Sequence, residues 1–484
     1  MGLLGIFVGL GLLIWLSYRG WSVLVLAPIA ALVAALFARE PLLAHWTQTF
    51  MGSAAGFLAQ FFPLFLLGAI FGKLMDDSGS VQTIARFMTE KLGPKRAMLA
   101  VVLAGALVTY GGVSLFVAFF VLAPMAQALF RSANIPARLM PAAISLGTST
   151  FTMSALPGTP AIQNAIPMPF FGTTAFAAPG LGIIASAIML GFGLWWLRRA
   201  EGAARRSGEG FGAGSAEPQL AAAEDPVVRE RASTSGSFDP SEIESREHGG
   251  SEPGIVAALA PLVVVVLVNL LMALVVLPRL DTSYLADVRF GEISLANVGG
   301  VWAVLVALTA AMLVLIVLNR KRLPSLRSTV DAGANASVLP VVSVASLVGF
   351  GAVVAAMPAF EMVRDWVLGI GGGPLVSLAL STNILAALTG SASGGLTIAL
   401  DALGATYMQL AATTGLDPAL MHRVAVIGAG TLDSLPHNGA VVTLLAVCGT
   451  KHGESYFDIV MVGIVGALIA LVAVIVLGTL VGSF

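Results

Sequence analysis

Apolar runs recur along the whole chain, and most are long enough to form a helix that crosses a lipid bilayer. The clear runs lie at 3–17, 21–38, 52–72, 176–197, 254–277, 299–318, 336–357 and 456–480. Crossing the hydrocarbon core takes about 20 apolar residues, or somewhat fewer where a helix is short or broken. Only 11% of the residues are charged, whereas a soluble domain carries roughly 25%. The sequence therefore predicts an all-α polytopic membrane protein.

Charge and cysteine content exclude several other classes. The 25 Lys and Arg residues nearly balance the 26 Asp and Glu residues, so we expect no nucleic-acid partner. Cys448 is the single cysteine, which excludes an intramolecular disulfide and a thiolate metal cluster. We predict neither a metal site nor a cofactor. No basic segment precedes the first apolar run, which favours a retained helix over a cleaved signal peptide.

Two Leu-Pro pairs interrupt apolar helical runs at corresponding places in the two halves of the chain. Residues 152–162 read TMSALPGTPAI, residues 431–441 read TLDSLPHNGAV, and the two segments align without a gap. A proline within a helix frees a backbone carbonyl that lipid cannot satisfy, so such a break is buried in protein or lines a wet cavity. Paired breaks in two repeats are typical of the substrate site of a secondary transporter.

Each break follows two apolar stretches that flank a Gly/Ser-rich tip, at 109–114 and at 389–395. We predict two inverted repeats, each with scaffold helices, a hairpin and a broken helix. The first repeat is 1–199, with its hairpin at 97–130 and its broken helix at 137–172; the second is 254–484, with its hairpin at 373–412 and its broken helix at 418–449. Either hairpin can be re-entrant or consist of two full spans, because both arrangements give an even number of crossings.

Residues 200–253 differ from the rest because Gly, Ser, Ala and Glu dominate. We predict a flexible cytoplasmic linker, since such a segment cannot bury enough apolar surface to fold alone. Basic residues cluster at 91–96, 131–138, 198–206 and 320–327. Placing these clusters in the cytoplasm puts the N-terminus outside and inverts the second half relative to the first. We expect a multi-pass protein of the cell (inner) membrane.

A substrate site is predicted where the tips and breaks meet. Interrupted helices aim N-terminal amides inward, which provides positive potential for an anion in a region without Lys or Arg. Glycines permit close approach to the backbone, and hydroxyls and amides orient the ligand. The predicted substrate-binding residues are Gly111, Gly112, Ser114, Ser154, Pro157, Gly158, Thr159, Gln163, Asn164, Thr389, Ser391, Ser393, Gly394, Thr431, Ser434 and Asn438. Alternatively, individual Ser and Thr hydroxyls bond to their own i−4 carbonyl.

Asp433 and His437 are the ionisable residues of the second break. Ionisable residues within a membrane usually mark ion or proton paths, so we predict that this pair takes up and releases the coupling proton. Two alternatives stay open. Asp433 can instead cap a half-helix while His437 bonds a freed carbonyl, and a sodium ion held by carbonyls and hydroxyls would need neither residue.

Four segments, 71–78, 119–136, 388–397 and 415–420, resemble the gluconate:proton symporter family within the ion-transporter superfamily. The resemblance extends over nearly the whole chain except the linker. It implies an inverted-repeat symporter for hydroxy- or amino-carboxylates, with a scaffold, a moving transport domain and a homodimeric assembly.

The chain departs from this family at three places. Typical members carry an acidic residue where this chain has 114–117, a histidine where it has Leu156, and an Asn-Asp-Pro-Gly type of second break where it has 433–439. These less polar replacements favour a smaller, less hydroxylated acid than gluconate, such as a 3-hydroxybutyrate-like monocarboxylate.

The sequence thus predicts a symporter that imports a small organic carboxylate, driven by a proton or sodium gradient. A membrane-embedded enzyme is an alternative, but no His-Glu-x-x-His helix, nucleophile elbow or pair of interior carboxylates is visible. A passive anion channel is another, although it would require a continuous polar stripe and no inward broken helices.

Overall fold

The computed structural model describes residues 2–19, 21–212, 225–236, 238–243, 252–323 and 325–484. Within these residues all regular secondary structure is helical, without a β-strand. Seven helices are long and apolar enough to cross a membrane: Leu42–Asp77, Leu115–Ser132, Pro179–Arg206, Ile255–Arg279, Leu295–Asn319, Leu326–Ala356 and His452–Val481. These helices confirm the prediction of an all-α, multi-pass membrane protein.

The first half begins with two short apolar helices that pack against each other, α1 (Gly2–Tyr18) and α2 (Val23–Ala38). Ser22 caps α2 by accepting the N–H of Leu24 at 3.3 Å. Next, α3 (Leu42–Ala44) continues through a π-helical turn into α4 (Met51–Asp77), which together form one helix of 36 residues. The short α5 (Ser80–Leu92) buries Val81, Ile84 and Ala85 on one face.

A hairpin and a broken helix follow. The hairpin consists of α6 (Ala97–Tyr110) and α7 (Leu115–Ser132). With 14 residues, α6 spans roughly 21 Å, less than the ~30 Å hydrocarbon core, whereas the 18-residue α7 is one of the seven long apolar helices. The broken helix comprises α8 (Met140–Thr148), α9 (Phe151–Ser154), α10 (Ile162–Ala165) and α11 (Pro167–Phe171), and α12 (Pro179–Arg206) completes the half.

The segment predicted as a flexible linker, 200–253, contains ordered helix. The first seven of its residues, 200–206, belong to the last turns of α12, and residues Pro226–Ser235 form α13. Asp225 caps α13 by accepting the N–H of Val227 at 2.8 Å. Ala232 and Phe238 are fully buried, because the segment lies in a crevice that other helices provide. Residues 213–224, 237 and 244–251 of the predicted linker lie outside the described residues.

The second half presents the same series of elements in the same order. It begins with α14 (Ile255–Leu271), α15 (Leu295–Asn319), the long α16 (Leu326–Ala356) and the short α17 (Phe360–Leu368). Its hairpin is α18 (Pro374–Thr389) and α19 (Ala392–Thr414), and its broken helix is α20 (Pro418–Ala429) and α21 (Gly439–Val447). Finally, α22 (His452–Ile459) continues through a π-helical turn into α23 (Gly466–Val481).

The long helices α4 and α16 pack along each other, with α2 against α16 and α15 against α4. Gly333 of α16 permits this close approach, since a Cβ there would lie 2.7 Å from the Cα of Ile70. At one end of the pair, the Thr329 hydroxyl donates to Asp77 at 2.6 Å, and Asp77 also pairs with Lys73 at 3.1 Å. We call α1, α2, α4 and α14–α16 the scaffold helices. The hairpins and broken helices pack together beside them with α12 and α23.

Candidate functional site

The two breaks and the two hairpin tips meet around one small cavity of about 30 Å³. The two breaks lie side by side. The close approach of Gly430 to Ser154 shows this, since a Cβ on Gly430 would lie 3.0 Å from the Cβ of Ser154. The residues that line the cavity come from both halves: Leu115, Phe119, Ser145, Ser149, Met153, Ser154 and Gln163 from the first, and Ala392, Gly430, Asp433, Ser434, Asn438, Ala440, Val441 and Leu444 from the second, with Ser235 from α13.

The first break is held by hydrogen bonds that replace those of a continuous helix. Gly158 adopts a φ of +83°, which glycine tolerates and other residues rarely adopt. Its N–H donates to the Ala175 carbonyl at 2.8 Å, and its carbonyl accepts from the Asn269 amide at 3.2 Å. The Pro157 carbonyl accepts the Tyr110 hydroxyl at 2.9 Å. The carbonyls at the break are thus satisfied by protein.

The second break is tied to the second tip through Asn438. The Asn438 side chain caps α21 by accepting the N–H of Ala440 at 2.7 Å, and its Nδ2 donates to the Gly390 carbonyl at 2.8 Å. The Pro436 carbonyl lies 2.8 Å from Nε2 of His452. One asparagine therefore fixes the start of α21 against the hairpin tip.

Asp433 and His437 contact different parts of the second break. Asp433 lines the cavity and accepts a hydrogen bond from the Ser434 hydroxyl at 3.3 Å. His437 directs Nε2 at the Ala387 carbonyl of α18, 3.1 Å away. Among the described residues that line the cavity, Asp433 is the one with a carboxylate, and none is Lys, Arg or His.

Three helices begin at the cavity wall. Leu115 starts α7, Ala392 starts α19, and α21 starts between Asn438 and Ala440. The N-terminus of a helix carries a partial positive charge and favours a nearby anion. The Oε1 atom of Gln163 is buried without a hydrogen-bond partner among the described residues. The cavity therefore offers positive potential in the absence of basic side chains, together with one unpaired amide oxygen that can accept a hydrogen bond from a ligand hydroxyl.

A buried network behind the cavity braces the two broken helices together. Arg423 of α20, fully buried, donates to the Ala177 carbonyl at 2.7 Å and to the Ser154 carbonyl at 3.3 Å. Its neighbour His422 lies 2.6 Å from the Thr173 hydroxyl and 3.2 Å from Asn164 Oδ1. Since Ser154 ends α9, Arg423 neutralises carbonyls at the negative end of a half-helix.

Of the predicted site residues, Ser154, Gln163, Asp433, Ser434 and Asn438 line the cavity. The other predicted residues are not part of its lining. The first tip contains Gly111, Gly112 and Ser114, where Ser114 caps α7; the second contains Thr389, Ser391, Ser393 and Gly394, where Ser391 caps α19; and the first break contains Pro157, Gly158, Thr159 and Asn164.

The alternative interpretation of the hydroxyls also occurs in the structure. Thr431 donates to its i−4 carbonyl, Ile427, at 2.7 Å, and Thr148 and Ser154 each form the same kind of bond to the residue four positions earlier. Ser154 does so while its side chain still lines the cavity, so the two interpretations are compatible for that residue.

Several lining residues were not among the predicted site residues. Ser145 of α8 and Ser149, the residue that follows the end of α8, are four positions apart, and this spacing of serines was the available signal. The apolar lining residues carry no such signal, because nothing distinguishes them from their neighbours. Ser235 comes from the segment predicted as linker, and only the tertiary structure brings it to the cavity.

Comparisons with known proteins agree with this architecture. A family model described as GntP family permease matches residues 1–175. The chain is 39% identical over 485 residues to the "uncharacterized transporter YxjC" of Bacillus subtilis (strain 168), with 98% of each chain covered. It is 31% identical over 164 residues to the high-affinity gluconate transporter of Escherichia coli (strain K12), which covers 33% of this chain and 35% of that one.

A solved structure shares the fold. The crystal structure of the Alcanivorax borkumensis YdaH transporter superposes with a TM-score of 0.54, covering 91% of this chain and 89% of the other. The sequence identity is 17%, so this likeness concerns the fold alone.

Proposed function

The chain belongs to the GntP family of permeases, which makes it a membrane transporter, and we propose that it is a symporter for a small organic carboxylate. The proposal rests on one observation above all: three helix N-termini from the two hairpins and the second break converge on a cavity lined by both halves. An anion bound there would be stabilised by backbone dipoles without a basic side chain.

The walls of the cavity favour a short, weakly hydroxylated acid. Apolar side chains, including Phe119, Met153 and Leu444, alternate with the polar groups of Ser149, Gln163 and others. An acid of the 3-hydroxybutyrate type has both an apolar part and a few hydrogen-bonding groups, whereas gluconate needs a partner for every hydroxyl. We therefore propose a 3-hydroxybutyrate-like monocarboxylate ahead of gluconate, the substrate named for the Escherichia coli relative.

Coupling to a cation follows from Asp433. An ionised carboxylate in the cavity would repel the carboxylate of the substrate, unless a proton neutralises it or a sodium ion lies between the two. Either cation would bind together with the acid, which is the requirement for symport. In this proposal His437, whose Nε2 lies 3.1 Å from the Ala387 carbonyl, passes the coupling proton to and from Asp433.

Transport would require movement between the scaffold helices and the hairpins with their broken helices. At about 30 Å³ the cavity holds a water molecule but no hydroxy acid, so the described conformation is closed. The matching order of elements in the two halves supports inverted repeats that alternate between two orientations. A homodimer joined through scaffold helices belongs to the same proposal.

Uptake by proteoliposomes tests this function. Labelled 3-hydroxybutyrate, gluconate, lactate and citrate are supplied with and without an imposed proton or sodium gradient. The proposal expects one acid of the panel to accumulate above its external concentration only when one gradient is present. Equilibration that ignores both gradients would indicate a channel instead, and no uptake of any acid would refute a carboxylate substrate.

A further inference from the structure

A polar segment between the two halves fills the crevice next to the cavity. It consists of 225–236 and 238–243, including α13, and we call it the plug segment. Ser233 and Phe238 are fully buried and Asp239 is 2% exposed. Such burial is unusual for so polar a sequence, because polar groups lose their hydration when they enter a protein interior.

The plug segment contacts both parts of the protein that must separate. On the scaffold side, the Asp239 N–H donates to the Ala336 carbonyl of α16 at 2.7 Å, and Glu230 accepts the N–H of Val23 of α2 at 3.0 Å. On the other side, a Cβ on Gly439 would overlap the backbone oxygen of Arg231. The segment therefore bridges α16 and the start of α21.

Two close contacts place the segment at the depth of the tips and breaks. Gly236 packs on the ring of Phe116 in the first turn of α7, where a Cβ on Gly236 would overlap the ring. Ser235 lines the cavity itself, among residues of both breaks. The plug segment thus forms part of the wall of the cavity on the linker side.

The segment holds its own shape by an internal ion pair. Arg229 donates to both carboxylate oxygens of Asp239, at 2.6 to 3.0 Å. Ala232 and Phe238 bury apolar surface against the rest of the protein, whereas the Ser233 hydroxyl is buried without a partner among the described residues. Because the segment carries its own ion pair and leaves one buried hydroxyl unpaired in the docked position, it can leave its crevice as one unit.

We propose that the plug segment is a built-in gate that closes the linker side of the cavity and must withdraw before the bound acid can leave on that side. This inference rests on the proposed function, because it assumes that the cavity is the substrate site. The gate would hold the transporter closed while the segment is docked.

Thiol accessibility tests the gate without reference to any substrate. The full chain carries Cys448→Ala and the probe Ser145→Cys, which lines the cavity. Inside-out vesicles are treated with a membrane-impermeant maleimide, and the rate of alkylation of the probe cysteine is measured.

Three variants disturb the docked segment in different ways. Gly236→Leu displaces the segment from Phe116. A second variant replaces 225–243 by Gly and Ser at equal length, and a third, Arg229→Gln, breaks the internal ion pair and disturbs the fold least. Val227→Ala, at an exposed position of α13, is the matched control.

The gate predicts that alkylation accelerates about tenfold or more in Gly236→Leu and in the replacement, by a shift toward the open state, while Val227→Ala stays at the parental rate. If Gly236→Leu and Arg229→Gln are both monodisperse and their probe cysteine is alkylated at the parental rate, the gate is refuted. This holds whether or not the Gly/Ser replacement folds. Acceleration without uptake of any acid would support the gate and refute the carboxylate transport. Uptake with unchanged alkylation would refute the gate and support the carboxylate transport.

Discussion

Polar residues at the breaks divide into two groups by what their side chains contact. Arg423 and Asn164 donate to backbone carbonyls, and Arg423 and His422 both bond to Asn164 Oδ1, in a network away from the cavity. Ser434 and Gln163 direct their side chains to the cavity wall. The first group maintains the shape of the break, and the second is available to a ligand. Substitutions in the two groups should therefore affect different measurements.

Substitution of Arg423 should affect stability. In Arg423→Met the carbonyls of Ala177 and Ser154 lose their buried donor, and each unsatisfied group costs about 1–3 kcal/mol. We expect a clearly lower unfolding temperature in detergent and partial recovery in Arg423→Lys. Arg279→Gln removes an exposed guanidinium that also bonds a carbonyl and should have no effect. Equal unfolding temperatures for Arg423→Met and Arg279→Gln would contradict the bracing role.

Substitution of Asp433 should affect coupling. Asp433→Asn keeps the shape of the side chain but removes the charge that a co-transported cation neutralises. We expect gradient-driven accumulation to disappear, while exchange of labelled for unlabelled acid stays within about twofold of the parent, since exchange needs no net ion movement. Asp365→Asn, on a side chain that is 70% exposed, is the control. Normal accumulation in Asp433→Asn would remove this carboxylate from the coupling pathway.

At the scale of helical elements, the two broken helices differ from the continuous spans in how their prolines are placed. Pro157 and Pro436 interrupt two helices, and Gly158 and Asn438 then fix the direction in which the chain resumes. Other prolines of the chain lie inside continuous helices, as Pro28 does in α2. The prolines at the breaks differ because the chain leaves helical geometry there and protein donors pair with the carbonyls of Pro157, Gly158 and Pro436.

Restoring a backbone donor at either break should impair transport more than folding. In Pro157→Ala and Pro436→Ala the half-helices can extend and shift the groups that line the cavity, and a misplacement of about 1 Å is worth one to two orders of magnitude in rate. We expect uptake to fall about tenfold or more at unchanged protein yield. Pro28→Ala should transport normally. Normal uptake in both break variants would place the substrate elsewhere.

The sequence was informative where local chemistry determines structure. Apolar run length identified six of the seven long helices, all but Leu115–Ser132, and the Leu-Pro pairs identified the breaks, since both depend on nearest neighbours in the chain. The plug segment could not be predicted in this way, because α13 has no apolar stripe and its crevice is built by α16, α19 and α21, which are distant in sequence. The same reason hid the role of Arg423, whose partners Ser154 and Ala177 belong to the other half.

In the molecule as a whole, two sets of helices with matching element order enclose the cavity between them. The predicted orientation, with the linker inside and the second half inverted, follows from basic residues alone. Among these basic residues, Arg205 and Arg206 lie in the last turn of α12, next to the linker. Homodimer formation remains a prediction of the family resemblance.

Orientation can be measured with two single cysteines in the Cys448→Ala protein. Arg289→Cys, on a side chain 77% exposed, lies in the connection between α14 and α15, and Arg320→Cys lies at the other end of α15. A membrane-impermeant maleimide added to intact cells should label the first and not the second. The reverse pattern would invert the whole assignment of sides.

Protection from alkylation is the sharpest test of whether an anion binds where the two breaks meet. Ser154→Cys and Ser434→Cys, one from each break, are prepared separately in the Cys448→Ala protein and treated with a small maleimide at increasing concentrations of the transported acid. We expect the acid to slow alkylation of both cysteines with one common half-saturating concentration. Protection of neither cysteine, or of only one of them, would contradict a shared site at the breaks.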